Sequence, residues 1–200
     1  MAMYDQNLTF FKANGGQAVA GGTVISELTY DILQGLALDS ATGTYPVPPD
    51  AIVGRLRPDT TPPTKFWGED LGLGRGVGTP TVDVYMTATA ATPPAGGTSI
   101  QVILAGAVDN GSGSVSGLTF TPYITSAAIP LAQLLANLAQ NWNQIAEFDL
   151  PRRPIGTPLP RFLQLQYVAV GTFTGLNLKG YIGLGDTSAE DTLGQYAANY

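Results

Sequence analysis

The sequence contains no histidine and no cysteine. Without histidine, the commonest general base and the commonest metal ligand are both missing. Neither a Ser-His-Asp nor a Cys-His arrangement can be built, and the usual zinc sites are closed. No enzyme activity, metal or cofactor is expected. The absence of cysteine excludes disulfides but says little about compartment, because such a chain folds anywhere. Charge is also scarce. Only 12% of residues are Asp, Glu, Lys or Arg, about half the usual share. The net charge is −6 and no run of Lys or Arg matches a phosphate backbone, so nucleic acid is not an expected partner. No apolar run approaches the roughly 20 residues of a membrane span, so no membrane association is expected. Met1-Ala2-Met3-Tyr4-Asp5 lacks the basic and apolar segments of a secretion signal, which points to synthesis in the cytoplasm.

Small residues and turn formers are abundant. Glycine (25) and proline (15) make up a fifth of the 200 residues. With many Thr, Val and Ala, they favour short strands and frequent turns over long helices. The length suits one domain over residues 1–200, large enough to bury a core without staples. A surface this poor in charge dissolves a free monomer badly and suits a protein held against others.

Alternation of apolar and polar residues predicts the strands. Asp5–Phe11 is a candidate first strand. Thr23–Tyr30 is a second, with Val24, Ser26 and Leu28 on one side and Ile25, Glu27 and Thr29 on the other. Residues 35–78 form an expected insertion: prolines at 46, 48, 49, 58, 62 and 63 exclude a central strand, and Gly72, Gly74, Gly76 and Gly78 follow. Loops of that length are usually functional or disordered. Thr81–Ala90 and Thr98–Val108 alternate well on either side of Thr92-Pro93-Pro94-Ala95-Gly96-Gly97, and the pair reads as an antiparallel hairpin. Leu118–Ile124 is a further strand. Leu131, Leu134, Leu135 and Leu138 behind Pro130 predict one short helix. Trp142–Leu150, Arg161–Val170 and Leu176–Leu184 complete about eight strands of antiparallel character. The expected fold is all-β, an antiparallel β-sandwich or jelly roll with one short helix and an irregular tail over 185–200.

Candidate sites are few. Glu69-Asp70 reads as a solvated or salt-bridging loop pair, since adjacent carboxylates do not flank a cleft as a glycosidase requires. Asp109-Asn110-Gly111-Ser112-Gly113 lacks the spaced ligands of a calcium loop and reads as a plain hairpin loop. The glycine run around Arg75 precedes a strand and has no Lys-Ser/Thr end, which argues against a phosphate cradle. Phe66-Trp67 is either core filler or an interface anchor. Arg152-Arg153, with Arg161 nearby, is the densest positive group, and reads either as a solvated loop or as a contact for carboxylates on another protein.

The order of segments resembles a known family. Tyr4-Asp5-Gln6-Asn7-Leu8, Gln17-Ala18-Val19, Val24-Ile25-Ser26, Glu69-Asp70-Leu71-Gly72-Leu73-Gly74 leading into Thr81–Ala88, Ile124-Thr125-Ser126-Ala127-Ala128-Ile129-Pro130-Leu131, Arg161-Phe162-Leu163-Gln164-Leu165-Gln166-Tyr167 and Leu178–Leu184 follow one another. In this they are similar to the jelly-roll capsid cement (decoration) proteins of short-tailed bacteriophages, Bordetella-phage type. The likeness covers most of residues 4–34 and 69–184; the stretch 35–67 departs from it by its length. The resemblance implies a virion structural protein made in the host cytoplasm. It would form a homodimer or other small homo-oligomer on the outer capsid surface and bridge neighbouring major capsid subunits. On that reading Phe66, Trp67, Glu69, Asp70, Arg75, Arg152 and Arg153 are the candidate partner contacts. The alternative is a carbohydrate-binding jelly-roll module with exposed aromatics, for which Trp67, Tyr85, Trp142 and Tyr181 are candidates.

Overall fold

Apolar side chains at alternate positions turn one face of each long strand toward a common interior. A computed structural model describes residues 9–12, 15–31, 36–43, 81–111, 115–149 and 160–183. Its strands are β1 (Gln17–Ala18), β2 (Gly22–Ile25), β3 (Leu28–Asp31), β4 (Leu36–Asp39), β5 (Thr81–Met86), β6 (Ala95–Gly96), β7 (Ser99–Ala107), β8 (Thr121–Thr125) and β9 (Ile129–Pro130). The helix α1 (Leu131–Ala139) follows, then β10 (Gln144–Asp149), β11 (Phe162–Val170), β12 (Phe173–Thr174) and β13 (Asn177–Gly183).

Two antiparallel sheets pack face to face, giving an all-β sandwich. The smaller sheet runs β1-β13-β5-β10. The larger runs β4-β3-β11-β7-β8, with β2 also beside β11 and β9 beside β7. Between them lie Val82, Val84, Met86, Leu178 and Ile182 from the smaller sheet. Ile100, Val102, Leu104, Leu163, Leu165, Tyr167 and Ala169 face them from the larger. Full burial of each Val, Leu, Ile or Met among these contributes roughly 1.5–3 kcal/mol. Gly180 makes room in this layer: a Cβ there would meet Leu165 Cδ1 and lie 3.3 Å from the Phe10 ring.

The predicted hairpin between Thr81–Ala90 and Thr98–Val108 does not form. β5 pairs with β13 and β10, whereas β7 pairs with β11 and β8 in the opposite sheet. The turn between them passes from one sheet to the other. Gly96 and Gly97 both have positive φ (68° and 63°), and Gly97 leaves space for the Phe173 ring. Both strands present apolar residues to the same interior, so each satisfies its alternation without pairing with the other.

The predicted strand Thr23–Tyr30 is interrupted. Ser26 is buried, and its hydroxyl donates to the Leu28 carbonyl (2.8 Å) while accepting from the Leu165 amide (3.0 Å). The register against β11 changes across this point, so β2 and β3 lie in line beside the same strand. Leu36–Asp39 lies inside the stretch expected to be irregular, yet it is a strand paired with β3. Its four residues are too few for alternation to stand out beside the prolines downstream. Residues 35 and 44–78 of that stretch, residues 5–8 of the predicted first strand, and the tail over 185–200 lie outside the described residues.

The predicted helix is present. Leu134 and Leu138 join the main core and Leu135 stays 39% exposed. Asn141, at φ 57°, ends it in the left-handed conformation, with the Trp142 amide donating to the Asn137 carbonyl (2.9 Å).

Candidate interaction surfaces

The side chains that point away from the core define two surfaces of contrasting chemistry. On the larger sheet, strand alternation turns Phe162, Gln164, Gln166, Val168 and Val170 outward from β11, and Ser99, Gln101, Ile103, Ala105 and Ala107 outward from β7. One half of this face is covered. Leu38, Val115 and Phe162 form a second small core with Leu118 and Phe120. This is why the predicted strand at Leu118 begins only at Thr121. Arg161 ties the covering loop down. Its guanidinium donates to buried Asp31 from Nε (3.2 Å to each oxygen) and Nη2 (2.9 Å), and its Nη1 pairs with Asp109. Burial works against the charge, but the hydrogen bonds to Asp31 and Asp109 outweigh it and raise the guanidinium pKa. The Asp109 carboxylate also accepts from the Gly111 amide (2.9 Å), which closes a local turn over Asp109–Gly111.

The other half is partly exposed. Thr23 and Ile25 from β2, Gln166, Val168 and Val170 from β11, Ser99, Gln101 and Ile103 from β7, and Thr125 from β8 lie side by side. Ile25 is 49% exposed and Val170 53%. Among these outward residues there is no Asp, Glu, Lys or Arg. Half-exposed aliphatics, amides and hydroxyls thus lie together there, with no charged side chain among these described residues.

The smaller sheet presents a different outer face. Register places Tyr181, Asp83 and Glu147 in one row across β13, β5 and β10, and Lys179, Tyr85 and Gln144 in the next. Tyr181 stands edge-to-face with Phe11 (5.1 Å between centroids) and with Tyr85 (6.0 Å). The Gln144 amide donates to Asp83 (3.1 Å) and Glu147 (3.4 Å), and the Thr81 hydroxyl donates to Asp83 (3.0 Å). Lys179 lies over the Phe11 ring at 5.6 Å, and burial lowers its pKa. The β-bulge between Gln144 and Ala146 puts Gln144 and Glu147, three residues apart, on one side of the strand.

Trp142, just beyond the helix, is 52% exposed. Of the four aromatics considered for carbohydrate, Tyr85 and Tyr181 come together, Trp142 follows the helix, and Trp67 lies outside the described residues. Phe66, Glu69, Asp70, Arg75, Arg152 and Arg153 also lie outside them. Arg161, grouped in sequence with Arg152-Arg153, is committed internally to Asp31 and Asp109. Ile25, Val170 and Gln144 were not singled out by sequence. The signal for Ile25 was present: it shares a side with Glu27 and Thr29, opposite the core-forming Val24 and Leu28. Among the described residues, no cluster of three or more acidic side chains could hold a metal ion, and no helix is long and apolar enough to cross a membrane.

The sequence matches no protein-family model and no curated protein.

Proposed function

We propose that this chain is a non-enzymatic capsid decoration protein that lies on the outer surface of a phage shell and bridges neighbouring major capsid subunits. The observation that carries the reading is the uncharged, partly exposed half of the larger sheet, with Ile25 and Val170 half exposed beside Gln166, Val168 and Ile103. Laid against another protein, this face loses apolar surface from water and strands no charge. The family resemblance supplies the partner, the jelly-roll wiring and the small homo-oligomer as parts of the same proposal. No chemistry is required. Contacts available only on an assembled shell favour that shell by mass action.

Sedimentation tests it. Purified protein mixed with capsids that lack it should pellet with them and saturate at a fixed ratio to the major capsid protein. Replacing Ile25 and Val170 by aspartate should leave the protein in the supernatant with its fold intact. Wild-type protein that stays in the supernatant contradicts the proposal.

A further inference from the structure

We infer that Gln17 is a positioning residue for the uncharged face of the larger sheet: it clamps β2, the strand that carries Ile25, in line with that face. β2 is four residues long and, among the described strands, pairs only with β11. A short strand with a neighbour on one side is where a sheet frays most readily. Yet β2 supplies two exposed members of the face, Ile25 opposite Gln166 and Thr23 opposite Val168.

Both ends of β2 are tied down. Just before its start, the Ala20 carbonyl accepts from the Phe173 amide (2.6 Å). The other end, where the chain passes into β3, is held by a side chain from the opposite sheet. Gln17 lies in β1, paired with β13 in the smaller sheet. Its Nε2 donates to the Ile25 carbonyl (2.6 Å), and its Oε1 accepts from the Glu27 amide (3.1 Å). A carbonyl and an N–H two residues apart are the pair that one residue of a parallel strand meets. The primary amide therefore stands in for a strand that is missing at this edge. On the opposite side of the break, the Ser26 amide donates to the Leu165 carbonyl (2.8 Å), and the Ser26 hydroxyl accepts from the Leu165 amide (3.0 Å). The break is gripped from two sides, which fixes the course of the chain at Ile25.

Gln17 is buried, so removing its amide leaves the Ile25 carbonyl and the Glu27 N–H to reach water only by moving. A frayed β2 takes Ile25 and Thr23 off the face and leaves only the outward residues of β11 and its neighbours. Ordering β2 in advance removes that cost from binding. This consequence rests on the capsid reading; the clamp itself belongs to the free protein.

The experiment compares wild type with Gln17→Met, which keeps the length of the side chain and loses its amide. Hydrogen exchange is followed in the free protein, and pelleting is titrated with capsids that lack it. In Gln17→Met the β2 amides should exchange about tenfold faster, with β7 and β13 unchanged. Half-saturation of the capsids should need about fivefold more protein. Thr29→Val, which removes the hydroxyl bond to Ser40 (2.8 Å) in β3, should alter neither. Should Gln17→Met fail to fold, Gln17→Asn, whose amide sits on a shorter stem, carries the same comparison. Unchanged exchange in β2 overturns the clamp. Faster exchange with unchanged pelleting overturns its role in the contact. Wild-type protein that does not pellet overturns the capsid reading, and the contact role with it, whatever the exchange shows.

Discussion

Arg161 grips Asp31 with two nitrogens while its third reaches Asp109, so one guanidinium joins the end of β3 to the loop that follows β7. Asp31 is fully buried. Breaking such a pair from one side is costly because the remaining charge stays in the interior. Arg161→Met should therefore destabilise the fold by about 3–5 kcal/mol. The Asp31→Asn, Arg161→Met double variant should lose less than the sum of the single variants. Urea unfolding of the four proteins checks both statements.

Tyr167 carries a different kind of buried polarity. Its ring sits in the main core, and its hydroxyl has no hydrogen-bond partner among the described residues. Burial, reinforced by the charge of Glu27, pushes its pKa well up. A buried hydroxyl without a partner costs free energy, so Tyr167→Phe should be neutral or stabilising by up to about 1 kcal/mol. The sign of the pH effect follows. The unfolded chain releases this proton near pH 10 while the folded chain retains it, so the tyrosine's contribution is intact below about pH 10 and is lost as pH rises above it. Thermal unfolding between pH 8 and 11 should show a steeper alkaline decline in wild type than in Tyr167→Phe.

Gly180 faces inward on β13, opposite Val84. A methyl group there would run into Leu165 and press on Phe10, both fully buried. Gly180→Ala should cost about 1–3 kcal/mol by overpacking. An increase in stability would show that Leu165 and Phe10 have room to yield.

Much of the fold was legible because the sheets obey period-two alternation. Val82, Val84 and Met86, and Leu163, Leu165 and Tyr167, are core positions on pattern alone, and all are buried. Pattern does not say which strand pairs with which. β5 and β7 are separated by a turn-forming segment and still belong to opposite sheets, because two consecutive left-handed glycines carry the chain across. Irregularities were equally hidden. A serine that replaces a backbone partner at position 26 and a bulge at Gln144 each alter the register, and neither differs in composition from ordinary strand sequence. The surfaces were half visible. Tyr85 and Tyr181 were candidates, but their meeting across β5 and β13 is a matter of register. The uncharged face arises only when β2, β11 and β7 are set side by side.

The capsid reading attributes binding to the absence of charge on that face. Introducing one charge at its centre, Val168→Lys, should weaken capsid association at least tenfold in a quantitative pelleting assay. The same change on the tyrosine face, Gln144→Lys, should leave association unaffected.

The most direct measurement is the temperature at which capsids break open, followed by light scattering or genome release, with and without the purified protein. A decoration protein that bridges subunits must raise that temperature, in proportion to occupancy until its sites are full. An opening temperature that does not move at saturating protein would contradict the account.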